Sequence, residues 1–131
     1  MENNFMFEII TPEKIIFSEN INMVTIPSYE GDMTVLKNHI SIISFLRPGM
    51  INVFKNEESS ETFFVQNGTV EFFNNNMVVL STSVENIKNL SKDFINNLDK
   101  KSRDQLLETN ITDHDRYILN HQIETLKEIN I

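Results

Sequence analysis

The apolar residues of this chain change period once, between Thr82 and Leu90, and that change limits the folds open to it. Before it, short apolar runs recur about every ten residues, the spacing of a β-sandwich or barrel. They are Phe5–Ile10, Ile15–Phe17, Ile21–Ile26, Ile42–Leu46, Met50–Phe54, Thr62–Gln66, Val70–Phe73 and Met77–Leu80. Each is rich in Ile, Val and Phe, which suit a pleated, half-buried surface. Thr11-Pro12-Glu13 breaks the first pair. Asn67-Gly68 predicts a tight hairpin, because both residues tolerate positive φ, and Asn74-Asn75-Asn76 predicts a second, weaker one.

Beyond Leu90 no glycine or proline remains. Within 91–109, Phe94, Leu98 and Leu106 recur at helical spacing, with Ile95 and Leu107 beside them and Ser91 as the N-cap. Within 113–129, Leu119, Ile123 and Leu126 follow one helix face. Thr112-Asp113-His114-Asp115 has the form of a capping box. Asn110-Ile111 leaves room only for a tight connection, so the two helices should run antiparallel. The expected fold is therefore mainly β plus α: an N-terminal β-sandwich over residues 1–83, then a C-terminal antiparallel two-helix hairpin over residues 84–131.

Composition excludes more than it assigns. A net charge of −8 argues against nucleic acid as a partner, since phosphate neutralisation needs clustered Lys and Arg. With no cysteine, disulfides, thiolate metal sites and cysteine nucleophiles are ruled out. Residues 1–10 carry neither a basic region nor a long apolar run, so no secretory signal is expected there. No stretch reaches the roughly 18 apolar residues of a membrane span. His39 stands without a second histidine nearby and reads as a structural residue donating to a loop carbonyl. His114 and His121 lie seven apart on the second helix and read as surface residues. Glu57, Glu58 and Glu61 fall in a polar loop. Glu30 and Asp32 flank Gly31 in a turn. Phosphate-cradling glycine motifs are absent. Neither a catalytic constellation nor a metal or cofactor site is expected.

Several motifs keep the order and spacing of one family. Phe7, Ile9, Thr11, Pro12, Glu13, Ile16 and Phe17 form a first-hairpin pattern, F-x-I-x-TPE-x-x-I-F. Pro27, Gly31, Val35, Leu36, His39, Leu46, Pro48 and Gly49 follow, and then Phe64 to Glu71, FVQNGTVE. In these the chain resembles the epsilon subunit of the bacterial ATP synthase, equivalent to the delta subunit of mitochondria. Thr34 replaces a usual glycine, Ile40-Ser41 an Ala-Pro, and Asn67 the first glycine of the later hairpin.

The resemblance implies a non-catalytic central-stalk rotor subunit, one copy per complex. It would link the gamma subunit to the c-ring and couple proton flow to ATP synthesis in the alpha/beta head. It would sit peripherally on the cytoplasmic face of the bacterial inner membrane, held there by the complex alone. Glu30, Gly31, Asp32 and His39 would contact the c-ring or gamma. Lys100, Lys101 and Arg103 would make a regulatory contact with the beta subunit. Some family members bind ATP through a motif like I/L-D-x-x-R-A. Here Ser91 and Phe94 stand at its aspartate and arginine, so no nucleotide is expected. The alternative reading is a free-standing β-sandwich protein-binding module with a helical dimerisation hairpin.

Overall fold

A computed structural model describes residues 3–129; the outer ends of the two expected domains, residues 1–2 and 130–131, lie outside the described residues. Ten strands come first: β1 (Phe5–Ile10), β2 (Ile15–Ile21), β3 (Met23–Ser28), β4 (Gly31–Leu36), β5 (Ile42–Leu46), β6 (Gly49–Phe54), β7 (Ser60–Val65), β8 (Gly68–Phe73), β9 (Asn76–Leu80) and β10 (Val84–Asn86). A single 3-10 turn (Ile87–Asn89) leads into α1 (Lys92–Leu106) and α2 (Asp113–Glu128). The strands form two layers. One runs β4-β3-β6-β7-β10 and the other β5-β8-β9-β1-β2. They are joined at a corner where Ser28 pairs with Leu46. Among the described residues all strand pairings are antiparallel except that of β1 with β9.

Alternation along the strands builds the first core. Phe5, Phe7 and Ile9 on β1 point between the layers, as do Val24 and Ile26, Ile51 and Val53, Val70 and Phe72, Met77 and Val79. Phe17 packs edge-on against Phe63 at 5.8 Å and tilts against Phe7 at 5.9 Å, so aromatic contacts cross from one layer to the other. A second, smaller core lies on the outside of the β3-β6-β7 layer. There Phe64 and Met50 meet Leu90, Ile95, Leu98, Leu126 and Ile129. The helices therefore cover one outer face of the sandwich and leave the other bare.

Both helix starts form as expected. Ser91 Oγ accepts from the Phe94 amide, and Thr112 and Asp115 form a reciprocal capping box. Along α1 the packing face is Ile95 and Leu98, with Ser102 buried beneath α2; Phe94 and Leu107 are exposed. Ser102 Oγ donates to the Leu98 carbonyl and accepts from Gln122 Nε2 at 3.1 Å.

Four strand readings need correction. The second run extends to Ile21, and the third begins only at Met23 and ends at Ser28. β4 is not among the expected runs, because only Met33 and Val35 face inward and Gly31-Asp32 begin it like a turn. β10 pairs with β7 and carries the sheet three residues past the expected boundary at Ser83. The two asparagine turns exchange importance. Asn74 and Asn75 adopt positive φ (51° and 59°) and close the β8–β9 hairpin. Around Asn67-Gly68 only Gly68 has positive φ, and β7 and β8 do not pair with each other. That turn instead passes the chain from one layer to the other.

Candidate functional site

Glu30, Gly31 and Asp32 lie in the β3–β4 turn and at the start of β4, at one end of the sandwich. Gly31 takes φ 145° with open space where a side chain would be. Glu30 is exposed, with no ion pair among the described residues. Asp32 is held: its carboxylate accepts from Arg47 Nη2 at 2.8 Å, and Arg47 Nη1 donates to the Pro48 carbonyl. Arg47 and Pro48 belong to the corner that ends in Gly49. A Cβ on Gly49 would fall 2.4 Å from Pro27 Cβ, so only glycine lets these two segments meet.

The same turn carries the helical hairpin. Tyr29 stacks on His114, with their ring planes 13° apart, and Tyr29 Oη and His114 Nδ1 share a hydrogen bond of 2.9 Å. Tyr117 meets the Tyr29 ring edge-on at 4.6 Å, donates its hydroxyl to the Tyr29 carbonyl, and packs against His121. Thr125 Oγ1 donates to the His121 carbonyl at 2.7 Å and lies 3.4 Å from the Pro48 carbonyl. Burial holds the His121 pKa below its ordinary value; the Arg47 guanidinium lowers it further, against opposing pulls from Asp32 and Glu124. His114 and His121 are thus docking residues rather than bare surface.

His39 is not near this turn. It follows β4, at the other end of a six-residue strand, a span of about 17–20 Å. Its Nδ1 lies 2.8 Å from the Ile40 carbonyl and its ring meets Phe72 edge-on, which is the structural role expected of it. Asn38 and Asn75 clip this loop to the β8–β9 turn through two hydrogen bonds of 2.7 and 3.0 Å.

On α1, Lys100 pairs with Asp104 and Arg103 with Asp99, both at 2.9 Å. Lys101 is exposed and has no ion pair among the described residues. No group of His, Cys, Asp or Glu among the described residues is arranged to hold a metal.

The feature that strand counting did not reveal is the bare outer face of the β5-β8-β9-β1 layer. Ile43 is 86% exposed, Phe45 69%, Phe73 65% and Leu80 51%. Register places Ile43 beside Glu71, Glu71 beside Val78, and Val78 beside Glu8, so two carboxylates sit inside an apolar sheet face. An exposed apolar patch of this kind marks a contact surface. The only sequence signal for it is weak: apolar residues at outward positions of strands whose inward positions are also apolar.

A β-sandwich with a docked helical hairpin, a bare apolar face and a polar turn defines a protein that works through contacts. Residues 4–87 match the model of the ATP synthase, Delta/Epsilon chain, beta-sandwich domain. The chain is 41% identical over 131 residues to the ATP synthase epsilon chain of Pelagibacter ubique, covering 99% of this chain and 100% of that one. Its identity to the epsilon chain of Rhizobium leguminosarum bv. trifolii is 28% over 114 residues, covering 87% and 84%. The fold is similar to a chain of the Euglena gracilis mitochondrial ATP synthase, with a TM-score of 0.79 at 15% identity, covering 97% and 81%. A chain of the Tetrahymena thermophila central stalk and c-ring gives 0.62 at 14% identity, covering 94% and 93%. The chain belongs to the ATP synthase delta/epsilon family and is a non-catalytic subunit of that kind.

Proposed function

We propose that this chain is a rotor subunit of the central stalk of a proton-translocating ATP synthase, joining the gamma subunit to the c-ring. The observation that carries the reading is the bare apolar face around Ile43, Phe45, Phe73 and Leu80. Burying such side chains contributes roughly 1.5–3 kcal/mol each. Exposed charge pairs contribute about 0–1 kcal/mol. The apolar face therefore dominates binding and is assigned to gamma. The β3–β4 turn is assigned to the ring's polar loops, with exposed Glu30 as the reaching group, since Asp32 is engaged by Arg47. His39 supports the loop that borders the gamma face. No described helix is long and apolar enough to cross a membrane; attachment to the membrane's cytoplasmic face is assigned to the complex as part of this reading. The stiff sandwich transmits torque without deforming.

Regulation of ATP hydrolysis through the hairpin is part of the proposal. Of Lys100, Lys101 and Arg103, Lys101 is the one not paired on its own helix among the described residues, and it is the first candidate to meet an acidic loop of the beta subunit.

The test is co-purification with gamma and the ring. The double variant Ile43→Ser with Phe45→Ser should fold and lose gamma. Glu30→Ala should keep gamma and weaken ring attachment. Wild-type recovery of gamma by the double variant overturns the reading.

A further inference from the structure

We infer that the recess at the edge of the bare face takes one large apolar side chain of the gamma subunit and is the anchor of that interface. The inference rests on the reading of gamma as the partner. The recess lies between the β1–β2 turn, the start of β8 and the end of β9, and is walled by Ile10, Pro12, Thr69 and Leu80. Its volume of about 360 Å³ is at the small end of the roughly 300–1,000 Å³ of ligand sites. It suits a side chain better than a cofactor.

The walls are fixed before any partner arrives. Asn67 Oδ1 accepts from Ser81 Oγ, the Thr82 amide and the Thr82 hydroxyl at 3.2–3.3 Å. The Ser81 amide donates to the Ile10 carbonyl at 3.1 Å, and Thr11 and Lys14 close the β1–β2 turn. Gly68 cannot change, because a Cβ there would sit 2.7 Å from the Leu80 carbonyl and its φ is 151°. A pre-organised apolar pocket beside a larger apolar face has the form of an interface hot spot.

Charge selects the occupant. The face beside the recess carries Glu8 and Glu71, and the chain as a whole is at −8. A second copy of this chain would bring like carboxylates together across the contact. A partner that surrounds its apolar side chain with basic groups fits. Continuity of Leu80 and Thr69 with Phe45 on the bare face assigns the recess to the partner that covers that face.

The test is titration of the full chain with the gamma subunit, and separately with the detergent-solubilised c-ring. Thr69→Trp plugs the recess from an exposed strand position and should weaken gamma binding about tenfold or more. Leu80→Ala removes a wall at a half-exposed position and should weaken it severalfold. Ser60→Trp, an equal addition on the other layer, should leave it unchanged. Circular dichroism confirms that each variant is folded, and Leu80→Ala decides if Thr69→Trp is not. Wild-type affinity for gamma in the folded variants overturns the anchor while leaving the rotor reading intact. Loss of ring binding alone overturns the assignment to gamma. Failure of the unaltered chain to bind gamma overturns the rotor reading and the anchor together.

Discussion

Phe94 and Ser91 decide what the start of α1 can do. Ser91 is spent on capping the helix, and Phe94 carries no charge with which to hold a phosphate. Calorimetry of the chain with Mg-ATP should therefore give no binding heat at millimolar nucleotide. A clear isotherm would falsify that assignment. Thr112 carries more stability than its exposure suggests: Thr112→Ala removes one half of a capping box and should cost about 1 kcal/mol by urea denaturation. These two caps were legible in the sequence, because capping depends on residues three apart. The engagement of Asp32 by Arg47 was not legible. It depends on the Pro27–Gly49 contact, which brings together residues distant in the chain. Asn67 misled for a related reason. Its backbone tolerance of positive φ suggested a hairpin, whereas the structure uses its side chain as a three-way acceptor.

At the scale of elements, α2 is held by an aromatic clasp and a small apolar core, and the two respond to different perturbations. His121 is disfavoured as a cation when docked, so its docked pKa lies below the roughly 6.5 of free histidine. Docking is fully stable above that free value and weakens as pH falls through it, because the undocked helix takes up the proton first. Protection factors of α2 amides, taken relative to the intrinsic exchange rate, should fall between neutral pH and pH 5, while those of β1 and β9 hold. His121→Gln should flatten that dependence. Leu126→Ala should cost about 2–5 kcal/mol, read mainly by probes on the hairpin, since Leu126 belongs to the second core only. Most strands and both helices could be read from apolar spacing. β4 and β10 could not, because an edge strand of alternating polarity or of three residues leaves little hydrophobic signal.

The whole molecule is a sandwich with one face covered from within and the other left for partners. Removing residues after Asn89 leaves the core between the layers untouched but uncovers Phe64 and Met50. The truncated protein should unfold cooperatively and still bind gamma, yet bind hydrophobic dyes and lose solubility; adding Phe64→Ser should restore it. Loss of gamma binding by the soluble truncation would make the hairpin structural rather than regulatory. The parallel pairing of β1 with β9 sets the order in which the chain can acquire this shape. The first strand made is completed by the ninth, so the β1–β2 hairpin must wait on the ribosome with an unpaired edge until Leu80 has emerged. The layer that carries the bare apolar face thus keeps an open edge through most of synthesis, and that edge is where a chaperone would protect the growing chain.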